Sequence, residues 1–253
     1  MRLATLNLLF GLSLDDLRVD RQRLADAVRS LDADVLALQE VDRDQPRSGG
    51  LDLTAVAVEA LGAGAARFEP ALIGTPGGTW QAAPDGPTTG PAYGVSLVSR
   101  LPVESWHVIR LPAAPVRSPV PLPGTRRVLW LKDEPRVGLA AVLRTPDGPL
   151  TVATTHLSFV PGWGLVQLRQ LLRGLRRLPG PHVLLGDLNL PGPLPGWASG
   201  WPPLVRARTF PAPRPRLQLD HVLASAPLPG RVASEVRRLP VSDHLAVVVD
   251  VVP

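Results

Sequence analysis

The stretch His182-Val-Leu-Leu-Gly-Asp-Leu-Asn-Leu190 decides how this chain is read. Val183, Leu184 and Leu185 form a short unbroken apolar run, the pattern of a strand buried on both faces. Gly186 stops the run, and two polar side chains follow, Asp187 and Asn189, with one residue between them. At a strand end alternate residues point the same way, so a carboxylate and an amide can face one cleft. A carboxylate binds a hard cation or takes a proton from water, and an amide donates to a phosphate oxygen. The bland alternative is an Asx turn after a buried strand. The rest of the chain has to separate the two.

Working outward, polar residues recur where other apolar runs finish. Arg2–Phe10 reads as a buried strand carrying Asn7. A helix follows with Leu24, Ala27, Val28 and Leu31 at helical spacing and Asp20 as its N-cap. The next strand, Val35–Leu38, ends on Gln39 and Glu40. Strand, helix, strand over this length implies a crossover in an α/β sheet. A second helix, Leu51–Gly62, is stopped by its glycine, and Tyr93–Ser99 resumes as strand. Between these lies a loop at 74–92 with Trp80, and a proline-rich loop spans Pro112–Arg127, where ladder hydrogen bonds are not expected. Strands are expected at Val128–Leu131, Val137–Arg144 and Leu150–His156, the last ending on His156. An amphipathic helix covers Gly162–Leu178, with Leu165, Leu168, Leu172 and Leu175 on one face and Arg169, Arg173, Arg176 and Arg177 on the other. After the central strand, a loop rich in proline, glycine and tryptophan (Pro191–Pro215) leads to Asp220 and His221. Strands at Arg231–Leu239 and Leu245–Val252 flank Asp243 and His244.

Composition bounds the class. Hydrophobic residues at 45% and charged residues at 19% give a globular chain rather than a disordered one. With 253 residues and no evident linker or repeat, one domain over 1–253 is expected. No apolar run is long enough to span a bilayer. The apolar N-terminus lacks a clear small-residue cleavage site and carries Asn7, so it reads as a first strand, with a cytoplasmic location expected. The absence of cysteine removes thiolate chemistry and disulfides. The net charge of +5 hides an asymmetry: residues 1–60 hold 7 basic and 11 acidic side chains, and residues 100–240 hold 19 and 7. All the basic residues but Lys132 are arginine, the better bidentate partner for phosphate, although a GC-rich genome gives the same bias.

The series Thr5-Leu-Asn7, Gln39-Glu40-Val-Asp42, Tyr93-Gly-Val-Ser-Leu-Val-Ser-Arg-Leu-Pro102, Thr155-His-Leu-Ser158, Gly186-Asp-Leu-Asn189, Leu219-Asp-His-Val-Leu223 and Ser242-Asp-His-Leu-Ala-Val247 resembles, in this order, the endonuclease/exonuclease/phosphatase superfamily. The resemblance runs from the first strand to the last. It implies two facing mixed β-sheets sandwiched between helices, a four-layer refinement of the α/β class. It also implies a metal-dependent phosphoester hydrolase. Glu40 would be the principal ligand of a Mg²⁺ or Mn²⁺ ion, with Asn7 beside it and Asp243 as a ligand or support. Asp187 would orient and deprotonate the attacking water, Asn189 would hold the phosphate and His156 would contact it. His244 would contact or protonate a phosphate oxygen, with Asp220 as its carboxylate partner. His221 stands where the family more often has an aromatic residue, and is read as structural.

The motifs leave the substrate open, because specificity resides in loops. The first expectation is a phosphodiesterase acting on DNA or RNA, supported by the basic excess and by Trp80, Trp163, Trp197 and Trp201 in loops, where indoles stack bases. The alternative is a hydrolase of a phospholipid headgroup or a small phosphorylated metabolite. A non-catalytic scaffold is disfavoured by the intact Glu40, Asp187, Asn189 and His244. A monomer is expected.

Overall fold

The computed structural model describes residues 1–121 and 128–252. The chain begins with β1 (Arg2–Asn7), crosses over through α1 (Arg21–Leu31) and returns as β2 (Val35–Arg43), parallel to β1. Asp20 caps α1, its carboxylate accepting from the Arg23 backbone at 2.7 Å. Leu24, Val28 and Leu31 are fully buried on the sheet side, each worth roughly 1.5–3 kcal/mol of transfer free energy. After α2 (Leu53–Leu61), capped by Asp52 and closed by Gly62 in the left-handed region, come β3 (Ala65–Gly74), β4 (Trp80–Ala82), β5 (Ala92–Ser99) and β6 (Val103–Leu111). A ribbon of β7 (Arg117–Pro121) and β8 (Val128–Lys132) leads to β9 (Arg136–Thr145) and β10 (Gly148–His156). The second crossover is α3 (Trp163–Leu175), returning as β11 (His182–Asp187), parallel to β10. Then follow α4 (Leu194–Ser199), β12 (Asp220–Ala224), β13 (Arg231–Arg237) and β14 (Ala246–Val252).

Two large mixed sheets result, in the orders β13-β14-β1-β2-β5-β3-β4 and β12-β11-β10-β9-β6. Each holds one parallel pair, and the other pairings are antiparallel. Their inner faces meet in a core of aliphatic side chains that includes Leu3, Val35, Leu97, Leu139, Val152, Leu185 and Val249. Helices α1 and α2 cover the outer face of the larger sheet, and α3 and α4 that of the smaller. This is the four-layer sandwich that the resemblance implies. Among the described residues, no helix is long and apolar enough to cross a membrane.

Several local expectations need correction. The first strand stops at Asn7 rather than Phe10, because Leu9 and Phe10 enter the left-handed region in a 3₁₀ turn. The second strand does not end at Leu38; it continues to Arg43 past a bulge between Leu38 and Val41. Strands β3 and β6, helix α4 and the short β4 inside the 74–92 loop were not legible, since their inward faces carry no clean alternation of apolar and polar residues. The proline-rich loop holds β7 after all, with Pro119 opposite Trp130 in a two-stranded ribbon. Proline is tolerated there because alternate backbone positions of such a ribbon need no donor. The remainder of that loop, 122–127, lies outside the described residues.

Candidate active site

The two parallel pairs deliver the polar residues to one place. In register, Asn7 lies beside Gln39 at the end of β1–β2, and His156 beside Asp187 at the end of β10–β11. β12 runs antiparallel to β11, so its first residue, Asp220, sits opposite Asp187. The start of β9 likewise brings Arg136 alongside the end of β10.

Local backbone geometry aims these side chains. Glu40 occupies the β2 bulge with φ of 53°, and bulges redirect side chains next to active sites. Asn189 follows β11 with φ of 48°, and Ser242 before Asp243 has φ of 76°. Left-handed backbone at three non-glycine residues of one cleft costs roughly 1–3 kcal/mol each, which the surrounding fold sustains. Gly186 is required by closeness: a Cβ there would lie 2.2 Å from the Thr155 carbonyl oxygen, at φ of +148°. Asp187 and Asn189 share the cleft through an Asx turn, the Asn189 backbone donating to Asp187 Oδ1 at 2.9 Å, and not through strand alternation. The bland and the chemical readings of this stretch are therefore both present in one geometry.

The centre of the cluster is Asp187 Oδ2. Asn7 Nδ2 donates to it at 3.0 Å, His156 Nε2 stands 3.5 Å away, and His244 Nε2 stands 3.7 Å away. The same Asn7 nitrogen donates to Glu40 Oε1 at 3.0 Å, while its Oδ1 accepts from the Leu9 backbone at 3.1 Å. Beneath this, Gln39 Nε2 donates to Thr154 Oγ1 at 2.9 Å, a buried polar link between the sheets.

The two histidines are tuned in opposite directions. His156 has Arg136 Nη1 at 3.2 Å from Nδ1 and Asn189 Nδ2 at 3.0 Å from Nε2. Arg136 can only donate, so Nδ1 accepts and the single proton of the neutral ring sits on Nε2, which has Asp187 Oδ2 at 3.5 Å; a second ring proton, on Nδ1, would face Arg136. Burial, then the charges of Arg136 and His244, hold its pKa well below the usual value. His244 is the reverse: Nδ1 donates to Asp220 Oδ2 at 2.8 Å. Burial opposes its charge, but Asp220, Asp187 and Asp243 outweigh burial and push the pKa up to about 10. Phe210 tilts against the His244 ring at 4.7 Å. Asp187 itself is raised to about 7 by burial and by the charge of Asp220. Burial also raises Glu40, opposed by the Asn7 bond and reinforced by Asp243, and burial raises Asp243.

The cluster fits a hard cation. Three carboxyls, Glu40, Asp187 and Asp243, are held above their ordinary pKa because burial disfavours their charge, and Asp220 Oδ1 is buried with no partner among the described residues, so a bound cation would supply the compensation that water does not. Oxygen donors of this type suit Mg²⁺ or Mn²⁺. Asp187, Asp220 and His244 also bring ligand atoms within 4.8 Å of one another. That trio is a poor cage, because a protonated His244 has no lone pair to offer. Asn7, expected as a ligand, presents its nitrogen and not its oxygen to the carboxylates.

Sequence reasoning missed Arg136, Phe210 and Ser242, which binds the Asn7 carbonyl at 2.5 Å and accepts from the His244 backbone at 3.0 Å. The signal for Arg136 was a charge opening an otherwise apolar strand, which matters only once the antiparallel partner is known. His221 donates from Nε2 to the Leu190 carbonyl at 2.9 Å, a structural bond. His107 and His182 lie outside the cluster, bonded to Ser105 and to Leu178.

A cleft with carboxylates on one wall and a neutral and a charged histidine on the other, at the top of a two-sheet sandwich, belongs to a hydrolase of anionic esters. The chain belongs to the Endonuclease/Exonuclease/phosphatase family, whose model matches residues 4–244. Members of the family are phosphoester hydrolases, generally dependent on divalent metals, and the chain is an enzyme of this kind. A solved endonuclease/exonuclease/phosphatase from Beutenbergia cavernae is 26% identical, with a TM-score of 0.68 over 98% of this chain and 70% of that one. The mannosyl-6-phosphatase Bt3783 of Bacteroides thetaiotaomicron shares the fold at 18% identity and TM-score 0.61, over 100% of both chains. Beta toxin of Staphylococcus aureus does so at 13% identity and TM-score 0.66, again over 100% of both. No curated protein matches significantly.

Proposed function

We propose that the chain is a divalent-metal-dependent phosphodiesterase acting on nucleic acid. The observation that carries this reading is the convergence on Asp187 Oδ2 of Asn7 and two oppositely tuned histidines. Glu40 would hold Mg²⁺ or Mn²⁺, with Asp243 as a further ligand or supporting charge and Asn7 joining by turning its amide oxygen inward. The cation would neutralise phosphate charge.

The chain's own residues supply the proton handling. Asp187, held near neutrality, accepts the proton of the water that attacks phosphorus, and such a base contributes about 10²–10⁴-fold. His244, charged and braced by Asp220, hydrogen-bonds from Nε2 to a phosphate oxygen and stabilises the charge that develops there, while the P–O bond to the leaving group breaks and the leaving oxygen takes its proton from water. Asn189 and neutral His156 contact the phosphate from the β10–β11 side, with Arg136 holding the His156 ring. Nucleic acid is favoured over smaller esters by the basic excess of residues 100–240.

The test is a substrate panel: oligonucleotides, a choline phospholipid and a sugar monophosphate, each with Mg²⁺, with Mn²⁺ and with EDTA. Metal-dependent cleavage of oligonucleotides above the other two supports the reading. Preference for the sugar monophosphate or the lipid replaces nucleic acid by the small-substrate alternative.

A further inference from the structure

Thirty-two residues, 188–219, separate Asp187 from Asp220, and none of them is acidic. They hold four arginines, Arg206, Arg208, Arg214 and Arg216, all exposed and without an ion-pair partner among the described residues. Other exposed arginines are of both kinds: Arg100 is paired with Asp32 and Arg21 with Glu59, while Arg169 and Arg173 of α3 have no such partner among the described residues. The segment is closed at its base by Leu188 donating to the Leu219 carbonyl at 2.9 Å and Gly192 to that of Gln218 at 3.1 Å. Its far part is pinned against the cleft: Phe210 lies on His244, Ala212 donates to the Asp243 carbonyl at 2.6 Å, and Leu245 donates to that of Thr209 at 2.8 Å. The segment that carries these four arginines thus begins and ends at the candidate active site.

Between base and tip the segment encloses a pocket of about 570 Å³, lined in part by Gly192, Trp197, Trp201, Arg206, Gln218 and His221. Trp201 closes its floor, buried and stacked on His182 at 5.7 Å. Trp197 is different, with 77% of its surface exposed. Of the other tryptophans expected in loops, Trp163 opens α3 and donates to the Pro112 carbonyl at 2.9 Å, and Trp80 opens β4 and lies under Lys132 at 5.1 Å. Trp197 is left as a bare indole face beside a pocket that Arg206 also lines, whereas the other exposed tryptophan, Trp130, lies on the separate β7–β8 ribbon.

Resting on the phosphodiesterase reading, we propose that residues 188–219 form a track for single-stranded nucleic acid. Trp197 stacks an unpaired base at the pocket mouth, and Arg206, Arg208, Arg214 and Arg216 pair with backbone phosphates on the way to the cleft. An unpaired strand is implied because a duplex keeps its bases stacked inside, out of reach of an exposed indole. A lipid surface would ask for a contiguous apolar patch, and Trp197 and Leu217 are the only large apolar side chains of the segment that are exposed. The arginine stripe of α3 (Arg169, Arg173) is the competing polyanion surface; the one aromatic of that helix, Trp163, has its indole nitrogen engaged by the Pro112 carbonyl.

The experiment is fluorescence anisotropy of a labelled twelve-nucleotide oligothymidine on the full chain carrying Asp187→Asn, from 50 to 200 mM salt. Four phosphate contacts give a log–log slope of affinity on salt of roughly −3. Trp197→Ala should weaken binding about tenfold with the slope retained, as loss of one stacked base does. Arg206→Ala/Arg208→Ala should make the slope shallower by roughly 1.4, two phosphates' worth. All three residues are exposed, so the variants keep their fold, checked by melting temperature. If affinity and slope stay the same in these variants, or if the slope falls only in Arg169→Ala/Arg173→Ala, the track is overturned. Binding with the expected slopes but no oligonucleotide cleavage by the active chain with Mn²⁺ supports the track while refuting the nuclease reading. Cleavage with an insensitive loop refutes the track alone.

Discussion

Asn7 reaches from the larger sheet to the smaller: its single amide nitrogen donates to Glu40 Oε1 and to Asp187 Oδ2, at 3.0 Å each. Two carboxylates that would repel are thereby held on one donor. Truncating the donor leaves both desolvated, a cost of about 1–3 kcal/mol. Asn7→Ala should therefore lower the melting temperature in EDTA, and saturating Mn²⁺ should recover most of the loss by screening the same pair. Equal losses with and without metal would show that Asn7 only packs.

Metal binding should follow the carboxylates. A ligand that binds the native state alone stabilises it by about 2.7 kcal/mol at one hundred times its Kd. Mn²⁺ should raise the melting temperature of the natural chain and fail to do so in Glu40→Gln, while Asp220→Asn, whose side chain faces His244, should retain most of the shift. Retention of the full shift in Glu40→Gln would move the metal away from the bulge.

The metal-free protein should lose stability as pH rises, in two windows. Asp187 binds its proton more tightly when folded, about 7 against an ordinary 3.8, so stability present below pH 3.8 declines up to about 7. His244 is also raised when folded, about 10 against 6.5, so its contribution is complete below 6.5 and lost on the way to about 10. Urea unfolding in EDTA should show Asp187→Asn flattening the lower window and Asp220→Asn flattening the upper. A profile unchanged in both variants would contradict the charge arrangement drawn around Asp187.

Gly186 connects the fold to the site. A methyl group there would press on the Thr155 carbonyl, in backbone that alanine rarely adopts, and His156 follows Thr155 directly. Gly186→Ala should cost about 2–4 kcal/mol and reduce activity beyond what its lowered melting temperature explains. A stable, fully active variant would mean that β10 and β11 can part without disturbing the cleft.

Much of the site was legible because its residues end apolar strands. Asp187 and His156 fall at the ends of two runs of consecutive apolar or β-branched residues, and the parallel pairing of those runs follows from the helix between them. Glu40 was found for a partly wrong reason, since β2 runs on through a bulge that depends on its pairing with β5 and leaves no local mark. Arg136 escaped for a related reason: it opens β9 rather than ending a strand, and becomes a neighbour of His156 only through antiparallel pairing. Strands β3 and β6 escaped because Phe68-Glu-Pro70 and Trp106-His-Val-Ile-Arg110 mix polar and apolar residues without a period of two; Glu69 and Arg110 meet only across the tertiary fold, at 2.7 Å.

The last prediction concerns the base. Asp187 Oδ2 is the one oxygen faced by Asn7 and by both histidines, and Asp187 Oδ1 is already engaged by the Asn189 backbone. Asp187→Asn preserves the shape and removes the proton acceptor, so turnover should fall by about 10²–10⁴-fold on the best substrate. Folding should be unharmed, and relief of a buried charge beside Asp220 should hold the metal-free melting temperature level or raise it. His107→Ala, at a ring bonded to Ser105 and outside the cluster, is the control and should keep its activity. Near-normal turnover in Asp187→Asn, or equal loss in both variants, would remove Asp187 from the role of base and leave the stretch from His182 to Leu190 as a structural turn.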